Sequence, residues 1–145
     1  MRKRRFALAC ALSCCSALLG GCFDGMSFHI DERLTLAEPL QGDYVQLPVQ
    51  VSWTAEALSS AKEFVVFVDK PPIGRGVNID SLEGDELINV YRTTKTEFVV
   101  EQITSKVNVT PARADRHEIT VIALDGKGDR LGESSDWAQF TVVNG

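Results

Sequence analysis

Beyond residue 33 the apolar residues recur at every second position, and that period decides what this chain can fold into. Val49, Val51 and Trp53 alternate with Gln50 and Ser52, and Ile119, Val121 and Ala123 share one face of the stretch 118–124. A period of two belongs to a strand with one buried face, whereas an amphipathic helix repeats near 3.6. One run differs. Phe64-Val65-Val66-Phe67-Val68 is apolar throughout, the pattern of a strand covered on both faces. Further strand signals lie at 34–36, 44–47, 88–91, 97–103 and 138–143, and breakers such as Pro39, Gly42-Asp43 and Pro71-Pro72 separate them. Pro48 has no amide to give a ladder, so it is expected between an edge piece and the next strand. Residues 55–62 read as a loop or a single helical turn. About seven short strands with no long amphipathic helix predict one all-β sandwich over 34–145.

The N-terminus has a different composition. Arg2, Lys3, Arg4 and Arg5 precede an apolar run from Phe6 to Leu19 that is short for a membrane span, and Leu19-Gly20-Gly21-Cys22 closes it. The basic start, the short apolar run and the small residues before a cysteine resemble the lipobox signal of bacterial lipoproteins. That resemblance implies a cleaved signal peptide over 1–21, cleavage between Gly21 and Cys22, and acylation of the Cys22 thiol with a diacylglycerol. Palmitate-type chains on Cys22 would hold the protein on the extracytoplasmic face of the cell membrane. In a cell with two membranes, Phe23 after Cys22 fits the outer-membrane sorting pattern. Residues 22–33 then form a short tether of mixed polarity.

Removing 1–21 leaves eleven basic residues against twenty acidic ones, a formal charge of −9. So acidic a domain repels phosphate backbones, which excludes nucleic acid as the expected partner. Cys10, Cys14 and Cys15 lie in the signal and Cys22 at its end, so residues 34–145 have no disulfide and rely on their hydrophobic core.

Two stretches resemble fibronectin type III and related bacterial immunoglobulin-like domains. Val49-Gln50-Val51-Ser52-Trp53-Thr54 is similar to the family's second strand, whose Trp packs across the core. Ile119, Val121, Ala123 and Asp125, then Gly128, Gly132 and Ser134, are similar to its penultimate strand and following turn. The family usually starts that strand with a Tyr that makes a tyrosine corner, and here His117 stands in its place. Phe67-Val68-Asp69-Lys70-Pro71-Pro72, Ala123-Leu124-Asp125-Gly126 and Arg130-Leu131-Gly132-Glu133-Ser134 also resemble exported proteins of actinobacteria, which implies a lineage and no activity.

The residues needed for catalysis are sparse. His29 falls in the tether and His117 at a strand start, with no Gly-x-Ser-x-Gly elbow and no phosphate-cradling glycine loop. The expectation is no enzyme, no small-molecule substrate, no metal and no cofactor, with His117 a half-buried ring bonded to a neighbouring loop. Asp125-Gly126-Lys127-Gly128-Asp129 places two carboxylates on a flexible turn, but Lys127 opposes a cation and the calcium-loop spacing is absent. A tight hairpin turn is expected there. Asp80, Glu83, Asp85 and Glu86 read as a solvated acidic loop, and the acceptor pattern Asn108-Val109-Thr110 is assigned no role.

The candidate binding segment is 70–94, with Ile73, Arg75, Val77, Tyr91 and Arg92 read as exposed beside those acids. A plain connection between sheets with one edge strand is the competing reading. These observations lead to a membrane-anchored lipoprotein whose sandwich binds an envelope protein. The alternative is a wall-glycan module using aromatics such as Tyr44, Tyr91 and Trp137.

Overall fold

A computed structural model of the chain describes residues 30–104 and 115–143; the readings made on Gly21, Cys22, His29 and Asn108 lie outside them. The period-two stretches become nine strands: β1 Thr35–Glu38, β2 Tyr44–Val45, β3 Val49–Thr54, β4 Glu63–Val68, β5 Val90–Thr93, β6 Glu97–Val100, β7 Arg116–Leu124, β8 Arg130–Leu131 and β9 Ala138–Val142. They form two sheets, β1-β3-β6 and β2-β9-β7-β4-β5, with β8 paired to β7. The chain changes sheet between β1 and β2, β2 and β3, β3 and β4, β5 and β6, and β6 and β7, giving an immunoglobulin-like sandwich. The two strands beyond the expected seven are the two-residue pieces β2 and β8. Pro48 ends the first before β3 begins, and the turn 125–129 folds the second back on β7.

The main core lies between the sheets. Val49, Val51 and Trp53 from β3 meet Phe64, Val66 and Val68 from β4, Ile119, Val121 and Ala123 from β7, and Phe140 from β9. Trp53 packs edge-on against Phe64 with ring centroids 5.5 Å apart. The uninterrupted run of β4 is covered on its other face too. Val65 and Phe67, with Ile122 and Leu124 of β7, pack against Ile73 and Ile79 in a second, smaller core.

That second core corrects two expectations for the segment 70–94. Ile73 is 8% exposed, buried because β4 and β7 present apolar side chains outward that need a cover. The connection between β4 and β5 does not cross sheets either, since the two strands are antiparallel neighbours. It leaves the sheet edge, folds over the outer face through the 3-10 turns Ile79–Ser81 and Gly84–Leu87, and returns. Asn78 fastens it, donating from Nδ2 to Lys127 O at 2.8 Å and Asp129 Oδ1 at 2.9 Å. A Cβ on Gly128 (φ +82°) would stand 3.1 Å from Asn78 Oδ1 and 3.2 Å from Ile79 Cγ2, so glycine allows this close approach.

His117 stands near the start of β7. Its buried ring lies 5.7 Å from that of Phe140, and Nδ1 is 2.8 Å from Asp69 Oδ2. Asp69, at φ +57°, also exchanges hydrogen bonds with the Glu118 backbone: its N donates to Glu118 O, and its Oδ1 accepts from Glu118 N. A histidine–aspartate corner thus ties the end of β4 to the start of β7.

Candidate interaction surface

The outer face of the larger sheet is divided in two. Its β4–β7 half lies under residues 70–89, as described above. Among the described residues its β7–β9–β2 half is open. Ala138, Phe140 and Val142 of β9 point into the core, which turns Gln139 and Thr141 outward. Register places Tyr44 beside Thr141 and Thr141 beside Arg116, with Gln139 beside Glu118. Val45 packs on the core, so its neighbour Tyr44 projects to solvent and is 76% exposed. Trp137, just before β9, is 44% exposed and sits about 13 Å along the strand from Thr141. The loop before β2 is stitched to this strand, Gly42 N donating to Gln139 O at 2.7 Å and Gln139 N to Gln41 Oε1 at 2.8 Å. Two exposed aromatic rings therefore flank a strip of amide and hydroxyl side chains on a rigid sheet. The signal at 138–143 places a strand here, but not the cover that 70–89 gives the neighbouring half.

The segment 70–94 is occupied differently. Arg92 holds Glu63 through two hydrogen bonds, at 3.0 and 2.6 Å, and Asp80 at 2.5 Å; both carboxylates keep its guanidinium firmly protonated. Arg75 pairs with Glu133. Tyr91 is half-buried, stacks on Phe98 at 5.2 Å and donates its hydroxyl to Gln102 O at 2.7 Å. Burial, and secondarily the charge of Asp69, raises the Tyr91 hydroxyl above its usual range. Ile73, Arg75, Tyr91 and Arg92 are thus not gathered on one surface, and Val77 remains 39% exposed.

A second cluster, which the sequence reading missed, forms a shallow cleft of about 380 Å3 near the first described residues. Residues 30–33, assigned to the tether, are fixed to the sandwich here. Ile30 bridges Ser134, and Asp31 N donates to Ser134 O at 2.8 Å. The Asp31 carboxylate accepts from Arg33 Nε at 2.8 Å and Nη2 at 2.7 Å. Gly132 has φ +66°, and a Cβ there would collide with the Asp31 carboxylate and press on the Arg33 guanidinium. Below them the Arg130 side chain, 7% exposed, donates to Ile73 O at 2.5 Å and meets Glu133 at 3.4 Å. Spacing alone could not announce this cluster, since Asp31 and Glu133 lie at opposite ends of the domain sequence.

Asp31 makes the cluster sensitive to acid. The Arg33 hydrogen bond, with backbone donors, holds its carboxyl below 3.8 despite burial. A folded value below the unfolded one gives stability that is present above pH 3.8 and lost as pH falls through the folded value. Urea unfolding at a series of pH values should show wild type more stable than Asp31→Asn near neutrality, with the gap closing below pH 3.8. A gap that stays constant into acid would contradict this account of Asp31.

Among the described residues no three His, Cys, Asp or Glu side chains are placed to hold a metal ion, and no helix is long and apolar enough to cross a membrane. No protein-family model and no curated protein matches the chain. Among solved structures it is similar to the fibronectin(III)-like modules of Clostridium thermocellum CbhA, at 16% identity and a TM-score of 0.42, over 75% of this chain and 94% of that one.

Proposed function

We propose that this is a membrane-anchored lipoprotein, acylated at Cys22, whose non-catalytic β-sandwich binds a protein of the cell envelope through the open half of its larger sheet. The observation that carries the reading is the exposure of Tyr44 on β2 and of Trp137 just before β9, beside the polar Gln139 and Thr141. Tyr and Trp are the residues on which interface energy most often concentrates, because each buries a large rigid surface and retains a polar tip. The Leu19-Gly20-Gly21-Cys22 signal supports the anchor. The non-catalytic reading draws on His117, whose ring is turned into the core against Phe140 and engaged by Asp69.

A photo-crosslinking side chain at position 44 in living cells is expected to give discrete protein adducts. The same group at Gln50, exposed on the smaller sheet, should not. Equal adduct patterns from both positions would overturn the surface assignment. The amides and hydroxyls between the two rings also suit the alternative ligand, a wall glycan, whose sugars offer apolar faces and hydroxyl edges. In that case position 44 gives no protein adduct, and the domain is retained on purified wall polymer. Either ligand should lose about 30-fold in affinity on Trp137→Ala, the equivalent of about 2 kcal/mol.

A further inference from the structure

Five arginines fall among the described residues, and four of them are ion-paired: Arg33 with Asp31, Arg75 and Arg130 with Glu133, and Arg92 with Glu63 and Asp80. Arg116 is the exception. Among the described residues it forms no ion pair, although Glu118 follows two positions along the same strand and Asp115 is exposed just before it. Glu118 forms no ion pair among them either. His117 between the two turns into the core, so Arg116 and Glu118 share the outward face of β7, and both are exposed. Register sets Arg116 beside Thr141, itself beside Tyr44, and Glu118 beside Gln139. The two charges therefore stand within the open half, about 7 Å apart along β7, with Arg116 two strand spacings, roughly 10 Å, from Tyr44. Other carboxylates of this region are engaged by the chain itself, Asp43 on Leu40 N, Asp136 on Trp137 N, and Asp69 on His117 and Glu118 N.

Resting on the protein-binding reading above, we infer that the partner meets this face with a carboxylate over Arg116 and an ammonium or guanidinium over Glu118. Their spacing of about 7 Å is that of alternate residues on one strand of the partner. A standard interface covers about 800 Å2 on each side, a patch roughly 30 Å across, so one that contains Tyr44 and Trp137 also covers Arg116 and Glu118. In water neither charge needs a partner. Once covered, each loses its hydration, and only an opposite charge compensates. Arg116 and Glu118 do not supply that charge to one another in this structure. A partner with the two signs in the matching order gains both contacts, and one with the reverse order is rejected by like-charge contact. The order has a direction: the partner's carboxylate lies on the Tyr44 side and its cation toward Trp137.

Exchanging the two residues, Arg116→Glu with Glu118→Arg, preserves composition and net charge and reverses the order. The test is made in living cells on the full chain carrying the photo-crosslinking side chain at position 44. The exchange is expected to lower the discrete protein adduct about tenfold or more, because each charge then meets its like. A control exchange, Lys95→Glu with Glu97→Lys, alters exposed residues at the start of β6 in the other sheet and should leave the adduct unchanged. Should the exchanged chain not accumulate, Arg116→Gln with Glu118→Gln removes both charges and should still lower the adduct several-fold. An adduct unchanged by these variants, or lowered equally by the control exchange, overturns the charge pairing and leaves the protein-binding surface standing. No adduct at position 44 in the otherwise unaltered chain overturns both.

Discussion

Trp53→Ala is expected to destabilise the domain by about 3–5 kcal/mol, the usual loss for emptying a large aromatic site in a core. The ring is 3% exposed, makes the edge contact with Phe64, and sits where β1, β3 and the opposite sheet converge. No disulfide is available beyond Cys22 to hold the chain together once that contact is lost. Total stability for a domain of this size is on the order of 5–15 kcal/mol, so one substitution removes a large share of it. At about 4 °C per kcal/mol the thermal midpoint should fall by roughly 12–20 °C. Trp53→Phe keeps an aromatic ring against Phe64 and removes an indole N–H that has no hydrogen-bond partner among the described residues, so its loss should be clearly smaller. Differential scanning calorimetry of the two variants tests this. Equal, small shifts would mean that Trp53 is not the centre of the core.

Much of this fold is legible because strand pairing repeats a local signal. Val49, Val51 and Trp53 announce one buried face, and Phe64–Val68 announces two, before any contact is known. The turn at 125–129 was equally readable, since Asp125 caps it with its own side chain, accepting from Lys127 N at 2.8 Å and Asp129 N at 3.0 Å. What covers the second face of β4 was not readable. Ile73 and Ile79 sit in a stretch rich in glycine and acid, and they become core residues only because Ile122 and Leu124 point outward to meet them. Glycines and carboxylates make such a segment look like a solvated loop, whereas Asn78, Arg75 and Arg92 fasten it through partners distant in sequence. The open surface was half legible. Tyr44 and Trp137 were recognisable as aromatics outside the core pattern, but Tyr44 comes beside the strand that follows Trp137 only because β2 runs parallel to β9. A parallel pairing of two residues leaves no mark in the sequence.

The anchor is the claim on which the proposed function depends, and its expected effect is complete rather than graded. Two acyl chains at about 0.8 kcal/mol per buried methylene hold a protein on a bilayer where one chain holds it only transiently. A serine at position 22 offers no thiol for the thioether, so the lipid has nowhere to attach. Membrane recovery alone would be a poor readout, because an uncleaved Cys22→Ser chain keeps the apolar run from Phe6 to Leu19. Covalent label is the direct readout. Cells expressing wild type or Cys22→Ser are fed an alkyne fatty acid, and the purified full-length products are compared for incorporated label. The account predicts strong labelling of wild type and none of Cys22→Ser; equal labelling of the two, or no labelling of wild type, would contradict it.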